Sequence, residues 1–215
     1  MKIESVEGLH IGTSYVVRVR TDTGITGIGQ TACWGYPEAV AGIVDKFRDY
    51  LVGQDPMRIE YHWQYMYRMG PFRGSALSGA VSAIDIALWD IKGKHYGEPI
   101  HRLLGGKFHD KIRAYASILF GKDGVETADI GRRWIEAGYT AVKFGWEPMG
   151  ESEAVDLDLV RGARKGLGDE ATLLVDAGCV WDARTALRRA ECFAEYNIEW
   201  LEEPLQQADV DGYRW

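Results

Sequence analysis

Two acidic residues, each closing a short apolar run, constrain this chain more than any other feature. Ala-Thr-Leu-Leu-Val runs into Asp176 and Ile-Glu-Trp-Leu into Glu202, with one helically patterned stretch, 182–196, between them. Runs of that length and composition read as buried strands. A strand, a helix and a second strand in this order make a parallel pair, because parallel strands need a crossover connection. The two carboxylates then stand side by side at the C-terminal ends of neighbouring strands, the rim at which β/α barrels place their chemistry. Hard oxygen ligands paired there suit a divalent cation of the magnesium kind.

The alternation extends backwards along the chain. Strands are expected at 113–118, 140–144, 171–176 and 198–202, with helices at 126–137, 153–165 and 184–196. Four strands and three helices in strict alternation make the first half of an eight-fold (β/α) barrel. The first 108 residues read differently. Residues 3–11, 14–21 and 26–29 form an antiparallel meander with a turn at Thr23-Gly24, and helical patterns follow at 37–51, 57–69 and 79–94. Strands followed by segregated helices indicate an α+β domain over 1–108, with the half-barrel over 109–215.

Composition narrows the function classes. With 215 residues, 46% hydrophobic and 27% charged, the chain is of the ordinary globular kind. A formal net charge of -7 argues against a nucleic-acid or anionic-membrane surface. No apolar stretch reaches the roughly 20 residues of a membrane span, and Met1-Lys2-Ile3-Glu4 does not open a secretory signal. Cys33, Cys179 and Cys192 are few and scattered, which reads as reduced thiols in a cytoplasmic protein. His10, His62, His95, His101 and His109 share no ligand spacing and read as surface or packing residues.

The run from Ala80 to Lys94, AVSAIDIALWDIKGK, with Pro99-Ile100-His101-Arg102-Leu103-Leu104-Gly105-Gly106 after it, resembles the signature helix of the enolase superfamily. The nearer likeness is to its mandelate racemase and muconate lactonizing enzyme branch, and within it to the acid-sugar dehydratases. The N-terminal meander, Ala141-Val142-Lys143, Val175-Asp176 and Trp200-Leu201-Glu202-Glu203-Pro204 fit the same family in the same order. The resemblance implies a modified TIM-type (β/α) barrel, here its N-terminal half, preceded by an α+β capping domain. It also implies Mg²⁺ held by three carboxylates at strand ends, a carboxylate substrate, and removal of the proton α to that carboxylate.

Carried over to this sequence, Asp176 and Glu202 match the first two metal ligands, and the third falls beyond Trp215. Lys143 matches the first lysine of a paired-lysine motif and is the candidate catalytic residue. The second lysine would fall at Gly145, and a position that is sometimes basic falls at Gly178; neither glycine can carry a proton. Trp34 and Tyr36 on one loop, Arg73 on another, and Trp146 after the second barrel strand are candidate substrate contacts, though each also reads as an ordinary loop or packing residue. Glu203 reads as structural. The resulting expectation is Mg²⁺-assisted dehydration of a small sugar acid by a homo-oligomer. Dehydration is favoured because a racemase needs two opposed bases and Gly145 removes one. A racemase, epimerase or cycloisomerase of the same superfamily is the alternative. A truncated, non-catalytic chain is another, because the 215 residues read as incomplete and half a barrel leaves sheet edges unpaired.

Overall fold

A computed structural model describes residues 1–32 and 36–214. It divides into two compact units, Met1–Asp110 and Lys111–Trp215. In the first, β1 (Ile3–Ile11), β2 (Ser14–Thr21) and β3 (Thr26–Thr31) form an antiparallel meander in the order β1-β2-β3. Alternation in β2 sends Tyr15, Val17 and Val19 into the core. Three helices cover that face: α1 (Pro37–Leu51), α2 (Ile59–Arg68) and α3 (Ser75–Tyr96), followed by the single turn α4 (Ile100–Leu103). Helix α3 starts four residues earlier than the pattern predicts and stops at Gly97, whose left-handed backbone caps it.

Helix α3 lies directly on the β3 backbone. A Cβ at Gly27 would sit 2.0 Å from the Ala87 carbonyl oxygen, and one at Gly29 would sit 1.8 Å from that of Ala83. Only glycine permits this approach. A wholly buried polar group of this unit is His62 in α2. Its Nε2 lies 2.8 Å from the Asp55 carbonyl, which can only accept, so Nε2 carries the proton and Nδ1 accepts from the Tyr50 hydroxyl at 2.7 Å. Burial is the main reason its pKa falls below the ordinary value of 6.5.

The second unit is a parallel sheet in the order β4-β5-β6-β7: β4 (Ala116–Leu119), β5 (Ala141–Gly145), β6 (Thr172–Asp176) and β7 (Ile198–Glu202). Strand β4 begins three residues later than the sequence pattern suggests. Arg113 is occupied otherwise, its guanidinium donating to the Thr140 carbonyl and to the hydroxyls of Thr140 and Thr172. The connecting helices are α5 (Gly124–Glu136), α6 (Glu153–Leu167) and α7 (Ala183–Phe193), capped by Asp123, Ser152 and Asp182 respectively. Their apolar stripes pack on Val142, Phe144, Leu173 and Val175, one face of the sheet. The other face carries the residues between: Lys143, Gly145, Leu174 and Asp176.

A buried ion pair locks the helix layer to the loop after β5. Arg189 of α7 donates to Asp156 of α6 at 2.7 Å and to Glu153 at 2.5 Å. The second oxygen of Asp156 accepts from the Gly150 backbone at 2.6 Å. Asp156 is wholly buried, so these bonds replace the water it has lost.

Candidate functional site

The register of the parallel sheet decides which side chains meet. Gly145 pairs with Asp176, and Asp176 with Glu202, so the last residues of three strands lie in one row. Lys143 stands two residues back on β5, on the same face. Its ammonium lies 2.8 Å from each carboxylate oxygen of Glu202 and 3.4 Å from Asp176 Oδ2. The side chains of Lys143 and Asp176 are about nine-tenths buried, while Glu202 is 35% exposed. Burial pulls the Lys143 pKa down. The hydrogen bond that Lys143 donates to Glu202, then the charges of Glu202 and Asp176, outweigh it, and the net displacement is upward. Lys143 is therefore a firmly held cation and a donor.

Asp176 is fixed from its own loop, its Oδ1 accepting from the Gly178 backbone at 3.0 Å. Glu202 also accepts from the Trp200 indole at 3.3 Å. Tyr115 completes the cluster, edge-on to Trp200 at 5.7 Å and with Lys143 Nζ 5.8 Å from its ring centre. Tyr115 and Trp200 are not among the candidates read from the sequence. The signal for Trp200 is its place two residues before Glu202, which puts it on the same face.

Gly145, where a second lysine would fall in the related motif, has no room for a side chain. A Cβ there would lie 2.9 Å from Asp176 Cβ and 3.3 Å from its Cγ. Past the strand ends the backbone is unusual. Trp146, Cys179 and Glu203 have φ of 71°, 65° and 44°, a left-handed conformation uncommon for residues with side chains. Backbone hydrogen bonds hold it: Trp146 N–H donates to the Asp176 carbonyl at 3.1 Å, and Cys179 N–H to that of Glu203 at 2.6 Å. Non-glycine residues held this way gather at functional sites.

The second unit thus brings together Lys143, Asp176, Glu202 and the exposed Trp146 among the candidate residues. Tyr36 is exposed at the start of α1 in the first unit. Arg73, also in the first unit, donates to the Gly70 and Phe72 carbonyls and lies 4.5 Å above the Tyr67 ring. Trp34 lies outside the described residues. Among the described residues, no three His, Cys, Asp or Glu side chains form one cluster. Two carboxylates sharing one ammonium leave a formal charge of minus one, and every donor is hard oxygen. That set fits a further hard cation such as Mg²⁺, held by Asp176 and Glu202.

Residues 4–105 match the family described as mandelate racemase / muconate lactonizing enzyme, N-terminal domain, and residues 126–215 match that described as enolase C-terminal domain-like. The chain is 40% identical over 209 residues to a D-galactonate dehydratase of Verminephrobacter eiseniae, covering 92% of this chain and 53% of that protein. It is 34% identical over 206 residues to a D-galactarolactone cycloisomerase of Agrobacterium fabrum, with the same shares covered. The 3,6-anhydro-D-galactonate cycloisomerase structure from Zobellia galactanivorans superposes with a TM-score of 0.87 at 30% identity, over all of this chain and 62% of that one. The chain spans about half the length of the curated relatives it matches.

Proposed function

Because the chain belongs to the mandelate racemase and muconate lactonizing enzyme branch of the enolase superfamily, we propose that its rim site serves Mg²⁺-assisted removal of the proton α to a carboxylate. The substrate is a sugar acid, and the outcome is loss of water. The observation that carries this reading is the convergence of Asp176 and Glu202 on the Lys143 ammonium.

An α-proton of a carboxylate is weakly acidic, so its removal needs positive charge placed beforehand where negative charge develops. Asp176 and Glu202 would hold the metal ion, which when bound supplies part of that charge. Lys143 supplies the rest as a compact point charge, donating hydrogen bonds to the substrate carboxylate. The buried setting strengthens both interactions relative to water. Trp146 walls the opening beside them. Dehydration needs one base and one acid, whereas racemisation needs bases on opposite faces. The crowding at Gly145 by Asp176 favours the first.

The test is calorimetric titration of the purified protein with D-galactonate and other sugar acids, with and without Mg²⁺, alongside a colorimetric assay for the 2-keto product of dehydration. Binding is expected to need Mg²⁺ and to be lost in Asp176→Asn and Glu202→Gln. Sugar-acid binding indifferent to Mg²⁺ and to both substitutions would overturn the assignment.

A further inference from the structure

The rim has a second opening that this chemistry leaves unused. A cleft of about 700 Å³ adjoins the roughly 370 Å³ pocket around Lys143, Asp176 and Glu202, and the two share Leu119, Trp146 and Glu203. The polar groups of the larger cleft are Glu147, Glu203, Gln206, Gln207 and the Cys179 thiol, and its described lining residues include no Lys, Arg or His. Gln206 spends an amide N–H on the Cys179 carbonyl at 2.8 Å, which leaves its amide oxygen as an acceptor. Burial, and then the charge of Glu203, push the pKa of the Cys179 thiol up. The lining is thus rich in acceptors, carries negative charge and has an aromatic ring along one side.

We infer that this cleft takes the uncharged polyhydroxyl end of a monocarboxylic sugar acid and rejects a second carboxylate, so that the substrate class is aldonic and not aldaric. The inference rests on the reading of Lys143, Asp176 and Glu202 as the carboxylate end of the site. Each hydroxyl of a sugar chain brings a hydrogen that Glu147, Glu203 or Gln206 can accept. An ionised carboxylate brings none and meets two like charges. The Trp146 indole lines the same cleft and offers a flat apolar face to the C–H side of the chain.

D-Galactonate and galactarate carry the same hydroxyl stereochemistry and differ only in whether the far carbon is an alcohol or a carboxylate. Each is titrated calorimetrically into the purified protein at fixed Mg²⁺. Galactonate is expected to bind about tenfold or more tightly, the scale of a like-charge clash at a binding surface. The double variant Glu147→Gln/Glu203→Gln is expected to narrow the ratio by strengthening galactarate. A merely structural role for these residues would instead weaken both ligands alike. Galactarate binding as tightly as galactonate, or a ratio unchanged in the variant, overturns the inference and leaves the carboxylate end standing. Failure of both acids to bind removes the carboxylate end itself, and the inference with it.

Discussion

Gly145→Ala probes the rim most directly. The new Cβ would lie 2.9 Å from Asp176 Cβ and 3.3 Å from its carbonyl oxygen. Carbon atoms in favourable contact are about 3.5–4.0 Å apart, so an overlap of roughly half an ångström has to be relieved. Asp176 cannot swing clear. Its Cβ is bonded directly to the main chain, its carbonyl accepts from Trp146 and its Oδ1 from Gly178. Either β5 and β6 separate or the carboxylate moves from its place 3.4 Å from Lys143. Overpacking of this kind costs about 1–3 kcal/mol, against a total stability of about 5–15 kcal/mol. The unfolded-chain benefit of replacing glycine is only about 0.4–1 kcal/mol and does not offset it. Urea denaturation should therefore show a net loss of about 1–2 kcal/mol, and Mg²⁺ titration a several-fold weaker affinity. Gly145→Lys should be worse on both counts and supply no second base. Wild-type stability together with wild-type Mg²⁺ affinity in Gly145→Ala would show that β6 yields freely and refute the close-contact account.

Lys143→Met removes the cation between two carboxylates, so Mg²⁺ should bind about tenfold more tightly while the sugar acid binds more weakly; isothermal calorimetry reads both, and parallel losses would count against the donor role. Arg189→Met strands the buried Asp156 carboxylate, and a loss of about 3–5 kcal/mol in chemical denaturation is expected; Glu153→Gln, at a side chain 57% exposed, should lose less than about 1 kcal/mol. His62 has a folded-state pKa below its ordinary 6.5, so the unfolded chain binds the extra proton first. Its stabilising contribution is complete above pH 6.5 and is lost as pH falls through the lowered folded value. Denaturation curves between pH 7.5 and 5 should show that loss in the wild type and a flatter profile in His62→Gln.

The parallel sheet and its rim acids are legible in the sequence because strand periodicity leaves few choices. Once β5, β6 and β7 are parallel neighbours, pairing Gly145, Asp176 and Glu202 in one row follows from where the apolar runs stop. The late start of β4 is not legible, since nothing in the run 113–118 marks where pairing with β5 begins at Ala116. Nor is the register shift between β6 and β7 around Leu173 and Val175, which no local pattern marks. The cleft is the least legible part. Glu147, Gln206 and Cys179 come together only because three residues without glycine's freedom turn left-handed, and local propensity argues against each of them.

Those three turns have a consequence for anyone seeking a sturdier version of this protein. A left-handed residue with a side chain costs about 1–2 kcal/mol relative to an unstrained one, and Trp146, Cys179 and Glu203 each bear that burden at the mouth of the cleft. Glycine at 146 or 203 would relieve the strain and also delete the aromatic wall or the acidic acceptor. Screens for thermal tolerance alone should therefore drift toward glycine at these sites and return proteins that melt later and hold their ligand worse. The rim is where robustness and recognition pull on the same backbone torsions.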